Sequence, residues 1–191
     1  MVEATSSSHG LESSILSNAD ESTYIQSLLP GSKFTLLYSG NRDGWSWDDF
    51  HKRCDNKGPT VTLCKSSKGK IAGAYTAHSW ESPFDHKRGF DSSAFTFSLA
   101  PCAQYPIRGD LFQALFLYDC AGPQFYGALQ IGDTQPMNGE NSSRCLIGED
   151  PGYSYWIPSD EEGNSILTGD GGKNNGSKFT CVELEVFQVT K

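Results

Sequence analysis

The chain has no uninterrupted apolar run approaching the roughly 20 residues that a membrane-crossing helix needs; stretches such as Ala114 to Tyr118 are far shorter. Residues 1–17 show no basic-then-apolar leader, so a non-secreted protein with no integral membrane segment is expected. Paired cysteines are also missing. Cys54, Cys64, Cys102, Cys120, Cys145 and Cys181 are dispersed without a CxxC, which argues against a zinc knuckle and leaves reduced thiols in the cytoplasm as the expectation. His9, His51, His78 and His86 show neither HxH nor HExxH spacing, so no metal and no cofactor are expected. Positive charge is scarce, with 15 Lys and Arg against 23 Asp and Glu, a formal charge of −8 and a pI near 4.9. Nucleic acid and anionic membrane both recruit proteins through positive surface, and both are disfavoured as partners. The one basic cluster read from the sequence, Lys52, Arg53 and Lys57 with Lys65, Lys68 and Lys70, reads as a solvated helix face and hairpin tip that leaves room for an acidic protein partner.

What is present suits one domain: 191 residues, 37% of them hydrophobic. Residues 1–12 are rich in Ser and Glu and read as a disordered or cloning-derived tail. A helix is expected from Asn18, capped by its own side chain, carrying Ala19, Ile25, Leu28 and Leu29 as its apolar stripe and stopped by Pro30-Gly31. Phe34 to Tyr38 reads as a strand with Phe34, Leu36 and Tyr38 on one face, and Ser39 to Gly44 as a turn.

The stretch from Arg42 to Trp80 is the most specific in the chain. Ser46 with Asp49 predicts a capped helix bearing Trp47, Phe50, His51 and Cys54, and Gly58-Pro59 ends it. Thr60 to Cys64 and Ile71 to Ala77 then form a hairpin around Ser66 to Gly69. Gly73, inside the returning strand, marks a bulge or a close approach of another backbone. Further strands are expected at Ala94 to Leu99, Ala114 to Tyr118, Phe125 to Ile131 and Phe179 to Val189, with loops at Pro101 to Gly109 and through residues 132–178. In the last strand Val182, Leu184 and Val186 face the core, while Glu183 and Glu185 share an exposed outer face. Many short strands without regular βα alternation predict a mainly β (α+β) fold: a two-sheet antiparallel β-sandwich flanked by short helices.

The segments FTLLYSGNRDGW, DFHKRCDNKGPTVTL, GKIAGAYTAHSW, AFTFSL, GPQFYGAL and VELEVFQV, taken in this order, resemble a TLDc domain, the domain of the oxidation-resistance proteins. The resemblance covers Ser13 to Val189 and implies a single domain over 13–191. It also implies a flanked β-sandwich, protection from oxidative damage, and binding to peripheral subunits of the vacuolar-type proton-pumping ATPase. A cytoplasmic monomer, placed at acidic organelles by its partner, is the matching expectation. The chain departs from the family pattern between Asp133 and Gly176.

No nucleophile and base, metal cluster or working carboxylate pair stands out, so no catalytic residue is assigned and a non-enzymatic interaction domain is expected. Candidate partner-binding residues are Arg42, Asp43, Gly44, Gly73, Gly127, Glu183 and Glu185. Arg42 and Asp43 are either a local ion pair or exposed contacts, and Gly73 and Gly127 either permit close strand packing or shape a docking sheet. Cys54 is the one redox candidate, because His51 lies three residues before it on the same helix. Its place at the helix C-terminus, where the dipole disfavours a thiolate, makes packing the better reading. Two alternatives are a thiol-dependent peroxide scavenger and a carbohydrate or small-ligand module using Trp45, Trp47 or Trp80. The run Asp160, Glu161, Glu162 reads as a solvated turn, since it lacks the alternating aspartates of a calcium loop.

Overall fold

A computed structural model describes residues 10–108, 113–148, 154–170 and 177–191. Residues 1–9 of the expected tail, Gly109 of the expected loop, and residues 149–153 and 171–176 of the expected long loops lie outside these. Helix α1 (Ala19–Leu28) is capped as expected, Asn18 Oδ1 accepting from the Glu21 amide at 3.0 Å, while the Glu21 carboxylate accepts from the Ser17 amide at 2.6 Å. Strand β1 (Lys33–Ser39) leads into a single-turn helix, α2 (Gly40–Asp43), where a turn was expected. Helix α3 (Trp47–Cys54) carries the full reciprocal capping box between Ser46 and Asp49.

The remaining elements are strands: β2 (Thr60–Ser66), β3 (Ile71–Thr76), β4 (Lys87–Phe90), β5 (Phe95–Leu99), β6 (Cys102–Pro106), β7 (Gln113–Leu117), β8 (Gln124–Phe125), β9 (Leu129–Gln130), β10 (Ser143–Cys145), β11 (Ser177–Phe179) and β12 (Cys181–Thr190). They form two antiparallel six-stranded sheets, ordered β1-β12-β2-β3-β5-β6 and β11-β10-β9-β8-β7-β4. The sandwich expected from the sequence is the architecture found. Tyr38, Phe50, Trp80, Phe125, Leu115, Leu184 and Val186 are buried in the cluster shared by the two sheets.

A second apolar cluster lies on the other face of the first sheet. There Leu11, Ile15 and Ile25 pack with Leu63, Phe97, Phe187 and Val189, adding a third layer. This corrects the end of the expected 1–12 tail, where Leu11 is buried and its anchoring side chain was hidden by the polar composition around it.

Other corrections fall at irregularities and sheet edges. The register of β1 on β12 shifts between Leu36 and Tyr38, so Phe34 and Leu36 join the outer cluster while Tyr38 turns inward, and the expected common face is broken. Part of the expected 101–109 loop is the edge strand β6, whose alternate residues Cys102, Gln104 and Pro106 are exposed and so give little apolar signal. An edge position tolerates the proline. The expected strand from Phe125 to Ile131 is instead two two-residue strands, β8 and β9, reversed at Tyr126-Gly127 with Gly127 at φ +76°. Phe179 to Val189 is likewise divided, because the chain crosses from the second sheet to the first at Thr180.

Candidate interaction site

Four of the candidate residues, Arg42, Asp43, Gly44 and Glu185, gather around Ser39, where β1 enters α2. Asp43 Oδ2 accepts from the Ser39 amide at 3.0 Å and from Arg42 Nη2 at 2.6 Å; its Oδ1 accepts from Arg42 Nε at 2.9 Å and stands 3.2 Å from Arg53 Nε. Arg42 also donates to the Leu37 carbonyl at 3.0 Å. The pair closes the turn as a local ion pair, with the Asp43 side chain 6% exposed and the Arg42 side chain 50% exposed. Hydrogen bonding from Arg42 holds the Asp43 carboxyl below the usual carboxylate range, burial opposing it and the Ser39 amide with the two guanidinium charges assisting.

Gly44 has φ +106°, a conformation that favours glycine, and its carbonyl accepts from the Tyr38 hydroxyl at 2.8 Å. A Cβ there would lie 2.9 Å from Asp49 Cγ and would push the α3 capping carboxylate aside.

Glu185 departs from expectation. It pairs with Ser39 across β1 and β12 and is 3% exposed, because the segment before α1 lies over it. Its carboxylate accepts from Ser13 Oγ at 2.5 Å, Ser14 Oγ at 2.6 Å and the Ser14 amide at 3.2 Å. An outward-facing carboxylate thus becomes an internal anchor, its desolvation offset by three donors. Glu183 remains partly exposed and forms a 2.9 Å ion pair with Lys65 on β2.

Gly73 lies in the same cross-strand row as Glu185: Ser39, Glu185, Leu63, Gly73 and Phe97 are successive partners. The ladder is regular there, with no bulge, and a Cβ at Gly73 would meet the backbone carbonyl oxygen of Thr62 at 2.5 Å as well as the Phe97 ring. Gly127 lies in the turn between β8 and β9 of the other sheet, away from this group. Arg42, Asp43, Gly44 and Glu185 are thus brought together, Gly73 continues their row, and Gly127 stands apart. Ser13, Ser14 and Arg53 were not singled out from the sequence as part of this corner. The serines follow Glu12 in a polar stretch, and the signal that could have found them is a glutamate in a ten-residue strand that is otherwise mostly buried.

The profile of the TLDc domain matches residues 10–190. The chain belongs to the TLDc family. "MTOR-associated protein MEAK7" of Gallus gallus is 32% identical over 141 residues, covering 72% of this chain and 26% of that protein. The Danio rerio protein of the same name is 33% identical over 81 residues, covering 41% and 18%. The chain therefore spans about a quarter or less of the length of these curated relatives.

The chemistry of the TLDc domain's thiols follows from burial. Cys54 is wholly buried, and burial pushes its thiol far up, with the Asp55 charge adding to this and Arg53 opposing it. His51 does not serve it, its Nδ1 being 2.8 Å from Asp55 Oδ1 and its Nε2 3.0 Å from the Ala121 carbonyl. Cys145 is pushed up to about 12 by burial. Cys64 and Cys181 are buried, while Cys102 and Cys120 are exposed. Native alkylation at pH 8 is expected to modify Cys102 and Cys120 and to spare the other four until denaturant is added, as read by intact mass. Modification of Cys54 in the folded domain would revive the scavenger alternative.

Each of the three candidate tryptophans, Trp45, Trp47 and Trp80, is engaged in packing. Trp80 is buried and donates to Thr60 Oγ1 at 2.9 Å, Trp47 donates to the Gly132 carbonyl at 2.8 Å, and Trp45 covers Gly40. Asp160 accepts from the amides of Glu162 and Asn164 at 3.0 and 2.8 Å, closing its own turn as the sequence suggests. Among the described residues no group of three or more His, Cys, Asp and Glu is placed to hold a metal ion, and no helix is long and apolar enough to cross a membrane.

The depressed Asp43 pKa makes the corner acid-labile. A carboxyl whose folded pKa lies below its unfolded value contributes stability above the unfolded value, and that contribution fades as pH falls through the folded one. The wild-type melting temperature is expected to drop below about pH 4, and Asp43→Asn, less stable at neutral pH, to show a shallower drop, measured by thermal melts between neutral and acidic buffer.

Proposed function

We propose that this TLDc domain is a non-catalytic interaction module that binds peripheral subunits of a vacuolar-type proton-pumping ATPase, and that through this contact it supports organelle acidification and resistance to oxidative stress. Membership of the TLDc family along residues 10–190 carries the reading. The half-exposed Arg42 supports it as a cation fixed at the surface, its Nε and Nη2 already held by Asp43 and the Leu37 carbonyl. The domain itself resides in the cytoplasm and reaches acidic organelles through its partner. A pull-down with the folded domain against purified peripheral subcomplexes tests the proposal: retention of a subunit supports it, and no retention of any subunit overturns it. A second reading comes from the relatives' printed name, which associates those proteins with MTOR; the same pull-down against an MTOR-containing assembly separates the two.

A further inference from the structure

The outward face of the second sheet carries one straight row of side chains across all six strands. Successive ladders align Arg88 with Phe116, Phe116 with Gln124, Gln124 with Gln130, Gln130 with Arg144, and Arg144 with Lys178. Their neighbours along the strands, Leu115, Leu117, Phe125, Leu129, Cys145 and Phe179, are buried on the opposite face. At ordinary strand spacing the row runs about 24 Å, with Arg88 and Arg144 about 19 Å apart. Three of its six members are cations and none is an acid, in a chain whose formal charge is −8.

The row is oriented rather than loose. The Arg88 guanidinium lies over the Tyr126 ring at 4.7 Å and the Phe116 ring at 5.4 Å, and donates to Gln113 Oε1. Phe116 packs edge-on against Tyr126 with centroids 4.5 Å apart, and His86 packs likewise against Tyr118 at 4.2 Å. Beside the centre of the row is an open cavity of about 290 Å³ lined by His86, Phe116, Tyr118, Gln124, Asp133 and Arg144. Asp133 approaches Arg144 Nε at 2.7 Å and sets its orientation. The outer face of the first sheet is covered by α1 and the segment before it. Among the described residues, Arg88, Arg144 and Lys178 are all exposed.

We propose that this row is a docking surface for an acidic segment of a partner protein, with carboxylates at the Arg88 end and at the Arg144–Lys178 end and apolar side chains resting on Phe116 and the adjacent cavity between them. Charge complementarity selects the occupant. A nucleic acid or an anionic bilayer gains affinity by neutralising many charges at once, and here three cations stand beside Asp133 in a strongly acidic chain. Separated carboxylates flanking an apolar centre match the cations at the two ends of the row and the Phe116 ring between them, while Gln124, 3% exposed and donating to the Ile131 carbonyl at 2.8 Å, forms the floor. The proposal does not depend on the pump reading, which concerns the partner's identity and the Ser39 corner.

The test uses a fluorescein-labelled peptide of about 14 residues, long enough as a helix to span the two arginines, with glutamates at both ends and Leu-Phe pairs between them. Saturable binding by fluorescence anisotropy is expected, weakened about tenfold or more by the R88E/R144E double variant and by added salt. The R88E/K178E pair, which leaves Asp133 partnered, is expected to weaken it similarly should R144E disturb the fold, and K52E/K57E on α3 and its following turn to leave it unchanged. No saturable binding, binding indifferent to both pairs, or equal competition by a single-stranded oligonucleotide or phosphatidylserine vesicles would overturn the proposal.

Discussion

Gly73→Ala is expected to destabilise the domain by about 3 kcal/mol, the upper part of the usual range for forcing atoms into a packed core, and to lower the melting temperature by on the order of 10 °C. A Cβ at residue 73 would meet the Thr62 carbonyl oxygen at 2.5 Å as well as the Phe97 ring. The ring has freedom to turn, but the carbonyl belongs to the backbone of β2 and cannot move without distorting the centre of the first sheet. Phe97→Leu is therefore expected to recover only part of the loss when combined with Gly73→Ala, and a thermodynamic cycle of the two would show the coupling. Gly69→Ala provides the contrast: its φ of +79° makes the substitution strained, but no atom lies within 4 Å of the new Cβ. A Gly73→Ala domain that melts like the wild type would show that the sheet has slack at its centre.

Trp80→Ala is expected to cost more, about 4 kcal/mol. The indole is 1% exposed and edge-packed against Phe50 and Phe125, at 5.6 and 5.5 Å, so it joins α3, the chain leaving β3 and the second sheet. Its removal opens a void and leaves the buried Thr60 hydroxyl without its donor. Trp80→Phe should keep part of the packing and lose the hydrogen bond, falling between the two in a denaturant melt. The backbone link between Asn56 N and the Trp80 carbonyl, 3.0 Å, survives both substitutions and keeps the local chain path.

What the sequence revealed and what it concealed divide along physical lines. The helix over Trp47–Cys54 was legible because Ser46 and Asp49 form a box that only a helix start rewards. The Thr60–Ser66 and Ile71–Thr76 hairpin was legible because its β-branched and apolar residues pack on both sides. Edge strand β6 binds through one ladder and exposes alternate side chains, so its residues read as loop, and β4, exposed at every residue but Gly89, carries no apolar alternation that would mark it as a strand. Glu185 was misplaced for a different reason. Alternation correctly sent it away from the inner core, but a face turned from the core meets water only in a two-layer protein, and here Leu11, Ser13, Ser14 and Ile15 supply a third. At the site, Arg42, Asp43 and Gly44 were visible as a turn chemistry, whereas the cross-strand rows that place Glu185 beside Ser39 and Arg88 beside Phe116 depend on long-range register. Local pattern contains no record of register between distant segments.

Strand β12 lies between β1 and β2, pairing Phe187 with both Leu36 and Val61. Within the domain, β1 and β2 must therefore be held apart until β12, its last strand, inserts between them. Until then each presents an unpaired edge to its surroundings. Contacts of such sequence separation slow folding through loop-closure entropy, so completion of the first sheet waits on the last strand of the domain, and the partly folded domain is exposed to aggregation until β12 docks.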